Sequence, residues 1–233
     1  MYGITFNDKH SDEDFGFYVE SKVIQSPAKK KIKIDVPGMN GDYDFSTVNS
    51  NGEITYDTRD ITVNFGIATK NKQLLYIKYT KLLAWLLDAP KSELIFDDIR
   101  DYYFIAEVEQ TSTLEEVLKF GKVAVKFIAD PFKTGVDYAM DNLWDTFNFE
   151  EDYLQDGDFD IVGTKTVTIY NPGRFVIPTI NVNAAMSIIY NNITYNLVTG
   201  DNKVYGFKLV NGANSLVING SGHIKFLFRK RAI

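Results

Sequence analysis

The chain holds two histidines, His10 near its amino end and His223 close to its carboxyl end. Imidazole metal sites draw their ligands from short, clustered spacings, and neither histidine has that company. His223 follows Gly220-Ser221-Gly222, which sets a hydroxyl two residues from a base. A nucleophile elbow needs Gly-x-Ser-x-Gly between a strand and a helix; here both flanks read as strand, so the motif reads as a tight turn. Cysteine is absent, which removes disulfides, thiolate nucleophiles and zinc–thiolate sites.

The carboxylates are no more specific. Asp156-Gly157-Asp158-Phe159-Asp160 alternates like the start of a calcium loop. An EF-hand requires glycine after the third acid and a glutamate at the twelfth position, where this chain has Ile161 and Val167. Only a loose, nonspecific calcium site is left by charge density. Asp97-Asp98 and Glu115-Glu116 are adjacent pairs, and neighbours on a strand point to opposite faces, whereas glycosidase carboxylates come from separate elements across a cleft. No glycine loop of the phosphate-binding types occurs. Lys29-Lys30-Lys31-Ile32-Lys33 lacks the interleaved aromatics of a single-strand nucleic-acid site and reads as a solvated strand face that discourages edge pairing.

The elements that position these groups are mostly strands. Phe15–Ile24, Lys30–Val36 and Glu53–Ala68 carry strand periodicity; in the second, Lys31, Lys33 and Asp35 alternate with Ile32, Ile34 and Val36. Pro37-Gly38-Met39-Asn40-Gly41-Asp42 is a loop of turn formers. Between Asn71 and Asp88 the period changes: Leu75, Tyr79, Leu82, Leu83 and Leu86 fall on one helical face, Asn71 can cap the start, and Pro90 blocks continuation. Leu94–Phe96 and Tyr102–Val108 form a hairpin around Asp97–Asp101, Leu114–Lys119 suits helix or strand, and Gly121–Ala129 closes the first domain before Pro131. Seven short strands follow (Lys165–Tyr170, Arg174–Ile177, Ala185–Tyr190, Ile193–Val198, Lys203–Val210, Ser215–Ile218, His223–Phe228). Between them stand Asn171-Pro172-Gly173, Asn191-Asn192, Gly200-Asp201-Asn202, Asn211-Gly212 and Asn219-Gly220, all read as turns.

The fold class is therefore mainly β. An α+β amino-terminal domain (1–133) packs one main helix on a β-sheet, a connector (134–163) is dense in acids and aromatics, and a β-sandwich (164–233) completes the chain. Net charge is −6, which argues against general nucleic-acid binding. Its distribution is uneven. Asp137 to Asp160 holds nine acids and no Lys or Arg, whereas Ile161 to Ile233 holds eight basic residues against Asp201 alone, a pattern of local compensation or of a basic face for an acidic partner. The amino terminus lacks a secretory pattern and no apolar run approaches the roughly 20 residues of a membrane span, so a soluble protein is expected.

Taken in order, several segments resemble the distal tail protein (Dit) family of long-tailed phages infecting Gram-positive bacteria. They are Ile4-Thr5-Phe6-Asn7, Val36-Pro37-Gly38-Met39-Asn40-Gly41, Tyr56-Asp57-Thr58-Arg59-Asp60-Ile61, the Leu74–Leu87 helix, Gly121–Phe132, Asn171-Pro172-Gly173 and Gly220-Ser221-Gly222-His223-Ile224. The resemblance spans most of the chain, with a connector longer than in the simplest members. It implies a structural protein without catalysis or cofactor, whose amino-terminal domain forms a hexameric ring and whose carboxy-terminal domain is galectin-like or carbohydrate-binding-module-like. The implied partners are the tail tube protein, the tape measure protein, and tail-associated and receptor-binding proteins, at the distal end of a virion tail assembled in the host cytoplasm. The genome would pass through the ring without specific binding, past a lining that an acidic face would keep from sticking. Tyr43 and Phe45, just past the Pro37–Gly41 loop, are the candidate oligomer-interface residues; burial in the core is the alternative for both.

Two further functions compete. A carbohydrate-binding adhesin would use Tyr190, Tyr195 and Tyr205 as platforms on the second domain. A cell-wall hydrolase ranks last for want of a nucleophile, metal cluster or carboxylate pair.

Overall fold

The computed structural model describes residues 2–48, 53–111, 114–117, 120–140 and 154–233. The chain divides into two compact units, Met1–Lys133 with Ile233, and Thr134–Ala232.

In the first unit the strands are β1 (Ile4–Phe6), β2 (Lys9–His10), β3 (Tyr18–Ile24), β4 (Lys33–Asp35), β5 (Asp42–Asp44) and β6 (Arg59–Ala68). After helix α1 (Lys72–Leu87) come β7 (Ser92–Phe96), β8 (Ile99–Thr111), β9 (Glu115–Val117) and β10 (Phe120–Ala129). The main sheet runs β2-β1-β7-β8-β10-β6-β3, with β9 beside β10, and its pairings are antiparallel. β6 and β10 pair over ten residues, from Phe120 opposite Ala68 to Ala129 opposite Arg59. That register puts Ile61, Val63 and Phe65 on the same face as Phe127, Val125 and Val123, all buried. The closing strand expected from Gly121 is this one. The strand expected over Glu53–Ala68 starts only at Arg59, and those over Phe15–Ile24 and Lys30–Val36 shorten to β3 and β4. The ambiguous Leu114–Lys119 segment contributes β9.

α1 begins where Asn71, in extended conformation, accepts a 2.8 Å hydrogen bond from the Leu74 N–H. It ends at Asp88, whose N–H reaches the Ala84 carbonyl, two residues before Pro90. Its buried residues are Leu75, Leu82, Trp85 and Leu86. Trp85 takes the place that the spacing rule assigned to Leu83. Its ring stacks on Phe15 at 4.6 Å and its indole N–H donates to the Phe6 carbonyl at 2.9 Å. This satisfied donor lets a large amphipathic side chain sit in the core. Trp85→Ala should therefore destabilise the first unit by about 3–5 kcal/mol, seen as a lower midpoint in denaturant unfolding; Trp85→Phe, which keeps the ring and loses the hydrogen bond, should recover most of it.

The short strand β11 (Lys133–Gly135) lies at the boundary of the units. The second unit holds β12 (Asp158–Asn171), β13 (Thr179–Val182), β14 (Met186–Tyr190), β15 (Ile193–Leu197), β16 (Gly200–Asn202), β17 (Gly212–Leu227) and β18 (Arg231–Ala232). Its sheet runs β15-β14-β17-β13-β16, with β12 also paired to β17. β12 starts at Asp158, so the segment read as connector supplies the first six residues of this strand; residues 141–153, which hold most of its aromatics, lie outside the described residues.

Three readings of the second unit change. Ser215–Ile218 and His223–Phe228 are not two strands around an Asn219-Gly220 turn but parts of one strand, β17, paired with β12 from Asp158 opposite Lys225 to Asn171 opposite Gly212. On its other side β17 pairs with β14 up to Asn219 and with β13 from Ile224. Gly220 and Gly222, both at φ +146°, sit at this change of partner. A Cβ on Gly220 would lie 2.8 Å from Met186 Cγ, and one on Gly222 would lie 2.3 Å from Asn183 Oδ1. The glycines therefore serve close approach at a bend, not a turn. Both halves of the bent ribbon enclose one core, with Ile188, Phe207, Leu216, Ile218, Ile224 and Phe226 wholly buried, which makes the unit a β-sandwich. Gly200-Asp201-Asn202, expected as a turn, is β16, whereas Arg174–Ile177 and Lys203–Val210 keep only the single bridge between Val176 and Leu209.

Buried asparagines hold the backbone around these segments. Asn202 accepts from the Val198 N–H and donates to the carbonyls of Ile180, Val198 and Gly200. Asn171 bridges the Arg174 and Leu209 carbonyls and accepts from the Gly173 N–H. These side chains add hydrogen bonds to backbone groups in and beside the irregular segments. Among the described residues no helix is long and apolar enough to cross a membrane.

Candidate assembly surface

β4 and β5 form a two-stranded sheet of their own, with Lys33 opposite Asp44, Ile34 opposite Tyr43 and Asp35 opposite Asp42. The Phe45 N–H donates to the Ile32 carbonyl and extends the ladder by one rung. Alternation then sorts the ribbon into two faces. One carries Lys31, Lys33, Asp35, Asp42 and Asp44; the other carries Ile32, Ile34, Val36, Tyr43 and Phe45. Tyr43 and Phe45 stack with ring centroids 5.3 Å apart, as side chains two residues apart on one face must. Neither is core: Tyr43 is 53% and Phe45 37% exposed, and Ile32, Ile34, Val36 and Met39 are exposed with them. Gly38 and Gly41, at φ +85° and +82°, turn the chain at the tip. Asp44 accepts hydrogen bonds from Ser46 that hold its carboxyl below the ordinary carboxylate range.

An isolated two-stranded hairpin is marginal in water, and contiguous exposed apolar surface marks an interaction site. This ribbon therefore exposes a contiguous apolar face. Tyr43 and Phe45, the two interface candidates read from the sequence, are exposed; Ile32 and Ile34 share their face, as the alternation of Lys31–Val36 indicates.

The main sheet also has a charged face. Opposite the buried side, register brings Glu20, Asp60, Glu93, Glu107, Glu109 and Glu115 to the open face, with Lys122 and Lys126 among them. Lys126 reaches Glu109 at 2.5 Å and Asp60 at 3.1 Å, and Lys122 reaches Glu20 at 2.7 Å. Hydrogen bonding to Glu109 and Asp60 raises the Lys126 ammonium above its usual value, and Glu20 does the same for Lys122. Both cations are held by acids and the face is acidic in excess. A shallow hollow of about 250 Å³ on it, lined by Glu20, Ser21, Asn64 and Lys122, is smaller than ordinary small-molecule sites.

The other candidate groups make local structural contacts. Asp97 accepts the Gly3 N–H at 2.6 Å and faces His10 Nε2 at 3.3 Å, while His10 Nδ1 accepts the Glu13 N–H. Asp98 accepts from the Tyr2 hydroxyl at 2.5 Å and from Lys22. Partial burial works against its ionisation, but the bonds from Lys22 and Tyr2 prevail and lower its value; burial and the Asp98 carboxylate push the Tyr2 hydroxyl up. The pair therefore anchors the amino terminus to the β7–β8 turn. Asp160 stands directly opposite His223 and bonds it at 3.1 Å, and Asp158 stands opposite Lys225 at 3.6 Å. These acids are cross-strand partners on an exposed ribbon. Among the described residues no group of three or more His, Asp or Glu is placed to hold a metal. Of the three tyrosines considered for sugar, Tyr190 is buried and donates to Asn214, Tyr195 packs edge-on to Phe207 and donates to the Gly206 carbonyl, and only Tyr205 stands free at 87% exposure. They form no common platform.

Comparison with known proteins bears on the family and the fold. Residues 12–129 match the family described as phage tail protein RIFT-related domain. The fold is similar to the crystal structure of the SPP1 Dit protein, described as a paradigm of the hub adsorption apparatus of phages infecting Gram-positive bacteria. The TM-score is 0.66 at 14% identity, with 100% of each chain covered. No curated protein matches by sequence.

Proposed function

This chain belongs to the phage tail protein RIFT-related domain family, and from that membership we propose that it is a distal tail protein, a structural hub without catalysis. Its first unit (residues 1–133) assembles as a hexameric ring. The ring joins the tail tube to the tail-tip and receptor-binding proteins at the distal end of the virion tail. The observation that carries this reading is the uncovered apolar face of the β4–β5 hairpin, which has no function in a solitary chain and a direct one in a contact with another subunit. Each subunit would offer one arm and receive one, a heterologous contact that closes at a fixed rotation.

The open acidic face of the main sheet suits the wall of the channel. Phosphates passing it meet carboxylates, with Lys122 and Lys126 already engaged, so the genome slides by without the cation contacts that give nucleic-acid affinity. The tape measure protein would occupy the same channel before it. Light scattering and negative-stain microscopy of the purified protein test the assembly: rings of six subunits are expected, and a strict monomer at high concentration would refute it.

A further inference from the structure

The tip of the β4–β5 hairpin carries a pair of residues that can react with each other, Asn40 and Gly41. In such a pair the glycine backbone nitrogen attacks the side-chain carbonyl carbon of asparagine. A C–N bond closes a cyclic imide, and the side-chain nitrogen leaves as ammonia with the proton the glycine N–H gives up. Water then opens the imide at either carbonyl, its hydroxyl going to carbon and its proton to nitrogen, which yields aspartate or isoaspartate. Water is the only co-reactant, and the closeness of the two groups along the chain favours the step. Glycine offers no Cβ to hinder the attack, but the backbone must be free to fold inward and the amide free to leave. The sequence holds four such pairs: Asn40-Gly41, Asn51-Gly52, Asn211-Gly212 and Asn219-Gly220. The second lies outside the described residues. Asn219 is held within β17, in register with Thr164 of β12 and Ser187 of β14, and its side-chain oxygen accepts from the Thr164 hydroxyl at 2.7 Å. Asn211 donates its side-chain amide, the group that must leave, to the carbonyls of Pro172 at 3.2 Å and Gly173 at 2.9 Å, and Gly212 is paired opposite Asn171.

Asn40 has neither restraint. It is exposed and stands between β4 and β5, outside both strands. Among the described residues, neither its side chain nor the Gly41 N–H takes a hydrogen bond. A Cβ added to Gly38 or Gly41 would meet nothing within 4 Å, so the turn has room to close on itself. We infer that Asn40 is a site of spontaneous modification, converting to isoaspartate and aspartate in the folded protein while Asn211 and Asn219 persist. Either product adds a carboxylate two residues from Asp42, which already stands opposite Asp35. Isoaspartate also lengthens the main chain by one atom at the turn. Both changes work against the close pairing of β4 with β5, since like charges opposite each other destabilise a ladder.

The purified full chain is aged in mildly alkaline heavy-oxygen water, with Asn51→Gln in place because Asn40 and Asn51 fall in one tryptic peptide, Ile34 to Arg59. Anion exchange should resolve a growing fraction that carries one more negative charge. Peptide mass spectrometry should find heavy oxygen at position 40, mostly as isoaspartate. Conversion there should run at least about tenfold faster than at Asn211 or Asn219, where reaction must wait for local opening. Chain denatured before ageing should lose that ranking, the three sites then reacting at similar rates. Adding Asn40→Gln, whose longer side chain closes a less favoured ring, should abolish the acidic fraction. The inference fails if Asn40 stays an amide as long as Asn211 and Asn219 do, or if the acidic fraction survives Asn40→Gln. It fails equally if the denatured chain keeps the ranking, because the fold would then not be what selects the site.

Discussion

Replacing Tyr43 and Phe45 together by serine should dissociate the proposed ring into monomers and leave the folded chain almost as stable as before. Both effects follow from where the two rings are. Each is exposed in the isolated chain, so neither contributes much to folding, and surface substitutions of this kind stay within about 0.5 kcal/mol. That is a shift of less than about 2 °C in the unfolding midpoint. In an interface the same rings are aromatic anchors, worth roughly 2 kcal/mol each when truncated. Losing both weakens every subunit contact by about 4 kcal/mol, roughly a thousandfold in dissociation constant. Sedimentation velocity and differential scanning fluorimetry read the two quantities separately. A double variant that still sediments as the wild type would remove the hairpin from the interface; one that unfolds many degrees earlier would show that the rings belong to a core.

The second large effect concerns stability. Asn214→Ala should destabilise the second unit by about 3–5 kcal/mol and leave the first untouched. Asn214 is 1% exposed. Its oxygen accepts from the Tyr190 hydroxyl at 2.6 Å and the Val210 N–H at 2.9 Å, and its amide donates to the carbonyls of Ile169, Val210 and Gly212. Alanine removes all five contacts and strands the Tyr190 hydroxyl in the core. A buried polar group without a partner costs about 1–3 kcal/mol, and here several are orphaned while a cavity opens. Hydrogen exchange resolved by segment would show protection lost along β12, β14 and β17 and retained along β6 and β10. Uniform loss across both units, or none, would contradict this account.

The difference between these two polar and aromatic positions shows how far a one-dimensional pattern reaches. Tyr43 and Phe45 were legible as interface candidates because they follow a turn-rich loop and alternate with acids. Whether they were core could not be read, since a strand with one apolar face looks the same whether its own chain or another covers it. Asn214 carried no signal: asparagine in a loop-rich segment reads as a turn former, and its burial depends on carbonyls from residues 2 to 45 positions away. Asp97 and Asp98 taught the converse. They were placed in the hairpin turn, where they lie, and they also anchor Gly3, Tyr2 and Lys22, contacts that arise only once β1 and β3 come near the β7–β8 turn.

The amino-acid order by itself determined the strand and helix periods, the cap at Asn71, the lack of thiol and clustered-imidazole chemistry, and the two-part layout, because each is set by neighbours within a few residues. Tertiary structure alone decided which apolar faces are covered. The same alternation that buries Ile61, Val63 and Phe65 under α1 leaves Ile34, Tyr43 and Phe45 in solvent, since burial is a property of what lies opposite a face and not of the face. It also decided that Gly220 and Gly222 continue a strand, as only the nearness of Met186 and Asn183 requires a residue without Cβ there.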